Sequence, residues 1–309
     1  MSSVPHPSHR VHEVRPGFSR GARARPDPAE VTRGLQVTDE VIDGPHGPVP
    51  LRRYRLSEGS RPVAPFVWAH GGGFSVGDLE MPESHAFAAA IARSGREVVA
   101  VDYRLVPFTK SVLLARDRPL PGVRHPVPMD DVATALEHVA AGATDGRAVL
   151  GEPARAPALG AAASLRAVRE GLVAPDRLVF VYGLFHPRLP PASADVRAKT
   201  RGRFVFTPAM ISRVSHNYAG SLAKLADPYA FAGGHDLAGL PPTLLVDAEH
   251  DSLRASGEAF GAELARAGVS VRRFVVARSS HAFLNRPLSL DFAVGVRTIT
   301  AWLDATDEP

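Results

Sequence analysis

Residues of four kinds, far apart in the chain, could converge on one reactive centre. The β-prone run Phe66-Val67-Trp68-Ala69 ends in His70-Gly71-Gly72-Gly73-Phe74. Consecutive glycines bring backbone N–H groups close to a ligand. Such donors stabilise an oxyanion, and losing one costs about 3–4 kcal/mol. Much later, Asp251 follows the apolar run Thr243-Leu244-Leu245-Val246-Asp247, and His281 follows the run 271–276. Ligands in open α/β sheets bind beyond the carboxyl ends of the strands. An aspartate placed there can hold an imidazole in one tautomer and stabilise its charged form. His281 and Asp251 are therefore the candidate catalytic residues, and the glycines of the run supply candidate oxyanion donors. His70 and Phe74, at the two ends of the glycine run, are candidate substrate contacts.

These residues need elements to position them. Gly44-Pro45-His46-Gly47-Pro48 reads as a turn, followed by an alternating hairpin strand over 49–55. Met81-Pro82-Glu83-Ser84 opens a helix running to about Arg93, with proline near its start. Buried strands are expected over 66–69, 97–103, 148–150, 178–182, 243–247 and 271–276, and helices over 130–140, 159–170, 257–267 and 288–304. That alternation predicts an α/β fold, a mostly parallel sheet with helices on both faces. Residues 187–239 break the alternation and read as a small helical cap inserted into a domain spanning 35–309. Residues 1–34 form a polar tail or a lid segment.

The ordered motifs resemble a known family. His70-Gly71-Gly72-Gly73-Phe74, Val101-Asp102-Tyr103-Arg104-Leu105, Leu240-Pro241-Pro242-Thr243 to Asp251, and Ser280-His281-Ala282-Phe283 are similar to the hormone-sensitive-lipase-like branch of the α/β-hydrolases, which includes bacterial esterases. The resemblance implies the α/β-hydrolase fold, with Asp251 as triad acid, His281 as triad base, and Gly71 and Gly72 at the oxyanion hole. It makes Asp102 and Arg104 a structural strand-end motif. The family's nucleophile lies in a Gly-x-Ser-x-Gly elbow between strand and helix. Here the strand 148–150 runs into Gly151-Glu152-Pro153-Ala154-Arg155, which puts Pro153 at the serine position and Arg155 at the closing glycine. Proline is locked near −65° and cannot take the elbow's positive φ, so a rebuilt turn is expected at Pro153. Ser75, Ser164, Ser279 and Ser280 are poor substitutes, being mid-helix, beside the histidine or beyond the glycine loop. Arg155 either lies along the helix surface or turns into the pocket as a cation for an anionic substrate.

Composition narrows the classes. The 309 residues are 45% hydrophobic and 22% charged, with a net charge of +4 and no cysteine. Disulfides, thiolate catalysis and cysteine-based zinc sites are excluded. No basic face or known module suggests nucleic acid. No run approaches the roughly 18 apolar residues of a membrane span, and the polar N-terminus has no signal-like core. Isolated histidines at 186, 216, 235 and 250 lack ligand spacing, so no metal or other cofactor is expected. The segment from Phe108 to His125, carrying Arg116, Arg118 and Arg124, lengthens the loop beside the expected pocket. The expectation is a cytoplasmic enzyme, alone or as a homodimer, acting on a small carbonyl- or ester-containing molecule. A His–Asp base facing glycine N–H groups suits proton abstraction beside a carbonyl, hence elimination, dehydration, isomerisation or cyclisation. Two alternatives stay open: hydrolysis by water or a displaced serine, and a catalytically silent ligand-binding protein.

Overall fold

The computed structural model describes residues 27–109, 112, 119–154, 156–203 and 206–305. Eight strands are formed among them: β1 Leu35–Gly44, β2 Gly47–Leu56, β3 Phe66–Ala69, β4 Val98–Val101, β5 Val149–Pro153, β6 Leu178–Val181, β7 Thr243–His250 and β8 Val271–Ser280. They join in one sheet in the order β1-β2-β4-β3-β5-β6-β7-β8. The β1–β2 hairpin is antiparallel, and β2 runs antiparallel to β4. From β4 to β8 every pairing is parallel. The central strands β3, β4 and β6 are buried at every residue, as expected of parallel strands covered on both faces.

Successive side chains divide between two cores. Val67 and Ala69 of β3 join one core, while Phe66 and Trp68 join the other. The first core is closed by α3 Val127–Gly142, α4 Pro157–Glu170 and α7 Arg254–Arg266. The second is closed by α2 His85–Ala92 and α8 Leu290–Asp304, and a short α1 lies at Pro28–Val31. Between β6 and β7 the chain leaves the sheet to form α5 Ala194–Thr200 and α6 Pro208–Ala219. Ser193 and Thr207 cap these two helices by accepting the N–H groups of Val196 and Met210.

Several boundaries differ from the sequence expectation, β7 and β8 for example running on to His250 and Ser280, and two of the differences bear on the site. The helix expected from Met81 is α2, which begins at His85, and the Ser84 side chain makes no cap bond. Strand β5 continues past Leu150 through Pro153, which pairs with Val181. Proline lacks a donor N–H, and it fits here because the bond to Val181 O comes from Ala154 N–H while the β3–β5 pairing has already ended at Gly151. Gly151, within β5, sits opposite Trp68. A Cβ on Gly151 would press into the Phe66 ring, so packing inside the sheet requires glycine there.

Candidate active site

The carboxyl ends of β3, β5, β6, β7 and β8 converge on a cavity of about 210 Å³. His281, just beyond β8, lines it together with Gly72, Gly73, Glu83, Ala154 and Phe206. Asp251, just beyond β7, is buried and lies 2.6 Å from His281, whose Nδ1–H donates to Asp251 Oδ2. The other aspartate oxygen accepts the Leu253 N–H at 2.9 Å. With both carboxylate oxygens engaged, the imidazole is held through Nδ1, and Nε2 is left for the cavity. Tyr182 and Phe206 meet the His281 ring edge-on, at centroid distances of 5.1 Å and 4.8 Å.

Backbone strain concentrates around this cavity. Among the described residues, the non-glycine positions in the left-handed region are Phe74 (φ 68°), Ala154 (63°), Tyr182 (42°), Arg278 (60°) and Ala282 (58°). Ala154 and Ala282 line the cavity and Tyr182, at the end of β6, packs on His281, while Phe74 closes the glycine loop and Arg278 lies within β8. Such conformations cost about 1–3 kcal/mol each and collect at functional sites.

The strain also corrects the position of the turn. Pro153 ends β5 in extended backbone, and the left-handed residue is Ala154, whose N–H still donates to Val181 O at 2.8 Å. The sharp strand-to-helix turn therefore falls one residue later than the glycine pattern suggests. Gly151 misleads because its glycine serves the Phe66 and Trp68 rings and not the turn. Arg155 lies outside the described residues, as do Arg116 and Arg118 of the lengthened loop.

Of the two expected oxyanion donors, Gly72 lines the cavity and Gly71 does not. Gly72 and Gly73 face the cavity, while Gly71 packs against the Glu83 carboxyl and the Ala154 methyl. Gly72 has φ 110°, and a Cβ there would sit on the Val76 carbonyl, so only glycine fits. Neither His70 nor Phe74 reaches the cavity. His70 is fully buried, bonded to Gly71 O at 2.7 Å and stacked on Tyr103, while Phe74 is stacked on Tyr218 at 4.1 Å. Asp102 lies 3.6 Å from His70 Nε2, and Arg104 is tied to Asp131 of α3, so both brace the scaffold.

With that geometry in place, similarity to known proteins can be read. Residues 66–285 match the alpha/beta hydrolase fold family. The chain belongs to that family. Within it, the chain falls in the hormone-sensitive-lipase-like esterase branch. This α/β-hydrolase is 32% identical over 251 residues to the esterase LipI of Mycobacterium tuberculosis, covering 77% of this chain and 71% of the relative. It is 30% identical over 275 residues to the carboxylesterase NlhH of the same organism, covering 84% and 78%. A solved esterase from the archaeon Pyrobaculum calidifontis superposes with a TM-score of 0.72 at 26% identity, covering 89% of this chain and 86% of that one.

Sequence reasoning missed one acidic member of the site. Glu83 is buried, and its Oε2 accepts the Tyr182 hydroxyl at 2.8 Å. Burial pushes its carboxyl above the usual glutamate range, against the pull of the Tyr182 hydroxyl and of His281. In sequence, an acid at a helix start reads as a helix-end charge, which hides this position. Phe206 comes from the segment between β6 and β7, and its approach to His281 had no local signal. His186 and His250 sit elsewhere: His186 bonds Ser256 and Glu263, and His250 Nδ1 lies 3.1 Å from Lys199 O.

Proposed function

We propose that this α/β-hydrolase is an enzyme acting on a small carbonyl compound by general acid–base catalysis, without an acyl-serine intermediate. The observation that carries the reading is Ala154 at the left-handed turn, lining the same cavity as the Asp251-held His281. In the family this turn displays the nucleophilic serine, and an alanine methyl can neither attack nor leave. Among the described residues no serine supplies a substitute. Ser164 Oγ donates to Gly160 O, Ser279 Oγ donates to Val276 O, and Ser75 is not part of the cavity wall.

What remains suits proton abstraction. His281 Nε2 takes a proton from the carbon beside the carbonyl, and the C–H electron pair moves into the enolate. The oxygen of that enolate gains negative charge next to the backbone of Gly72 and Gly73, whose N–H groups stabilise it. Preorganised donors in a protein cavity act more strongly than in bulk solvent. A positioned base typically contributes about 10²–10⁴-fold in rate.

A second reading keeps the esterase activity named for the relatives, which are 30–32% identical. In it, a water in the room beside the Ala154 methyl gives its proton to His281 and attacks the ester directly. One experiment separates the two. The purified protein is incubated in deuterium oxide with small ketones and esters while exchange beside the carbonyl is followed by NMR, and a parallel sample is treated with a fluorophosphonate probe. The proposal expects exchange that disappears in His281→Ala and no stoichiometric labelling. Ester hydrolysis that depends on His281, without exchange, selects the water reading. Stoichiometric labelling of any serine rejects both.

A further inference from the structure

Glu83 is held with more precision than a buried acid at a helix start requires. Trp68 Nε1–H donates to its carbonyl oxygen at 2.8 Å, and its own N–H donates to Asn285 Oδ1 at 3.2 Å. Tyr182 fixes one carboxyl oxygen, Oε2. The other, Oε1, lies against Gly71, at a point where a Cβ would overlap it while standing 3.1 Å from the Ala154 methyl. The carboxyl is thus set beside the turn, on the wall of the cavity that His281 also lines. Two groups able to move protons share one small cavity, and one of them is already committed as a base.

We propose that Glu83 is the proton donor that partners His281, and that the cavity takes β-hydroxy carbonyl compounds and eliminates water from them. This rests on the general acid–base reading given above. His281 Nε2 removes the proton from the carbon between the two functions. The C–H pair forms the new C=C bond, by way of the enolate held at Gly72 and Gly73. The β-carbon–oxygen bond breaks with its electron pair on oxygen, and that oxygen takes the Glu83 proton and departs as water. The enzyme is left with His281 protonated and Glu83 ionised, and one proton passed from the first to the second through solvent restores it. No oxidant or co-reactant is needed.

The surroundings favour the protonated acid. Glu83 faces the Tyr182 hydroxyl from the end of β6, His281 from the loop after β8, Asn285 from the turn behind it and His70 from the glycine loop. Its burial keeps the proton in place to a higher pH than an exposed glutamate would. Elimination should therefore decline as pH rises through the Glu83 titration, and that limb of the profile should vanish when the carboxyl is removed.

The test uses the intact protein and the aldol adduct of acetone with benzaldehyde, whose dehydration product absorbs in the near ultraviolet. Glu83→Gln keeps the size and the Tyr182 contact but cannot release a proton. The expected result is that Glu83→Gln lowers the ratio of elimination to α-proton exchange by at least about 10²-fold, within the range of general acid catalysis. It should also remove the alkaline limb of the profile. Elimination by Glu83→Gln at the parent's rate and with the parent's pH profile overturns the proposal. Parent protein that neither exchanges nor eliminates, across a panel of such adducts, overturns the base reading beneath it instead. Infrared difference spectra need no substrate: Glu83→Gln should delete one protonated-carboxyl C=O band at near-neutral pH. An unchanged spectrum in that region would show an ionised Glu83 and sink the proposal.

Discussion

His281 and His186 each hold a carboxylate on one ring nitrogen, and they differ in what lies beyond the other. His281 bonds Asp251 through Nδ1, and its remaining face meets a cavity whose turn residue is Ala154. His186 lies 3.1 Å from Glu263 Oε1 through Nε2, and its Nδ1 lies 2.8 Å from Ser256 Oγ. Acid, base and hydroxyl are complete in the second relay, yet Ser256 is fully buried and its Oγ already accepts the Phe185 N–H at 2.9 Å. Gly233 is pressed against the His186 ring so closely that a Cβ would collide with it. Burial alone would resist ionisation of Glu263, but hydrogen bonds from His186 and the Gly234 N–H hold its carboxyl below the usual range. The sealed relay ties the segment before β7 to α7. Hydrogen-bond order alone does not make a reactive site; space for a ligand and donors for its developing charge do.

The largest change to that contrast should come from restoring a hydroxyl on the open side. Ala154→Ser places it on the left-handed turn, so a fluorophosphonate probe should label position 154 close to stoichiometrically where the parent shows no label. Ser256 should stay unlabelled in both proteins, and mass spectrometry locating the probe there would erase the distinction. Pro153→Ser should gain nothing, because residue 153 is paired in β5 and does not form the turn.

Next in size is a pH effect on the sealed side. Asp247 of β7 is buried beneath α7, against Gly257 and 3.0 Å from Arg273. Burial pushes its carboxyl up to about 6, despite Arg273. The folded-state value is raised above the unfolded one. Its contribution to stability is therefore full below about pH 4 and is lost as pH rises through about 6. Urea unfolding at several pH values should show the parent losing roughly 3 kcal/mol relative to Asp247→Asn across that window. Parallel pH profiles for the two proteins would mean that Asp247 titrates normally.

The smallest effect belongs to the sealed relay itself. Glu263→Gln should lower unfolding free energy by about 1 kcal/mol, the scale of a partly buried hydrogen bond weakened at one partner. Exchange catalysis in the open cavity should not move. A loss of catalysis larger than the loss of stability would make the two histidines parts of one system.

How far the sequence could be read follows the same division between local and distant causes. Asp251 and His281 were legible because each closes an apolar run that can only be a buried strand, and the sheet brings those ends together. The parallel strands β3 to β8 were legible for the same reason. Strand β1 was not, because its burial is irregular at the edge of the sheet. The turn was read one residue early, since a lone glycine in a strand looks like an elbow glycine until the facing rings are known. Glu83 and Phe206 reach the cavity through contacts that no local pattern encodes. The segment 187–239 was expected to be helical, and α5 and α6 lie within it.

The left-handed turn at Ala154 has a consequence for mutational distance. A left-handed alanine carries a conformational cost of about 1–2 kcal/mol, and serine in its place would carry the same cost. The backbone therefore treats the two residues alike, and an alanine codon becomes a serine codon by one base change. A lineage could cross between two chemistries at this position without any intermediate that misfolds.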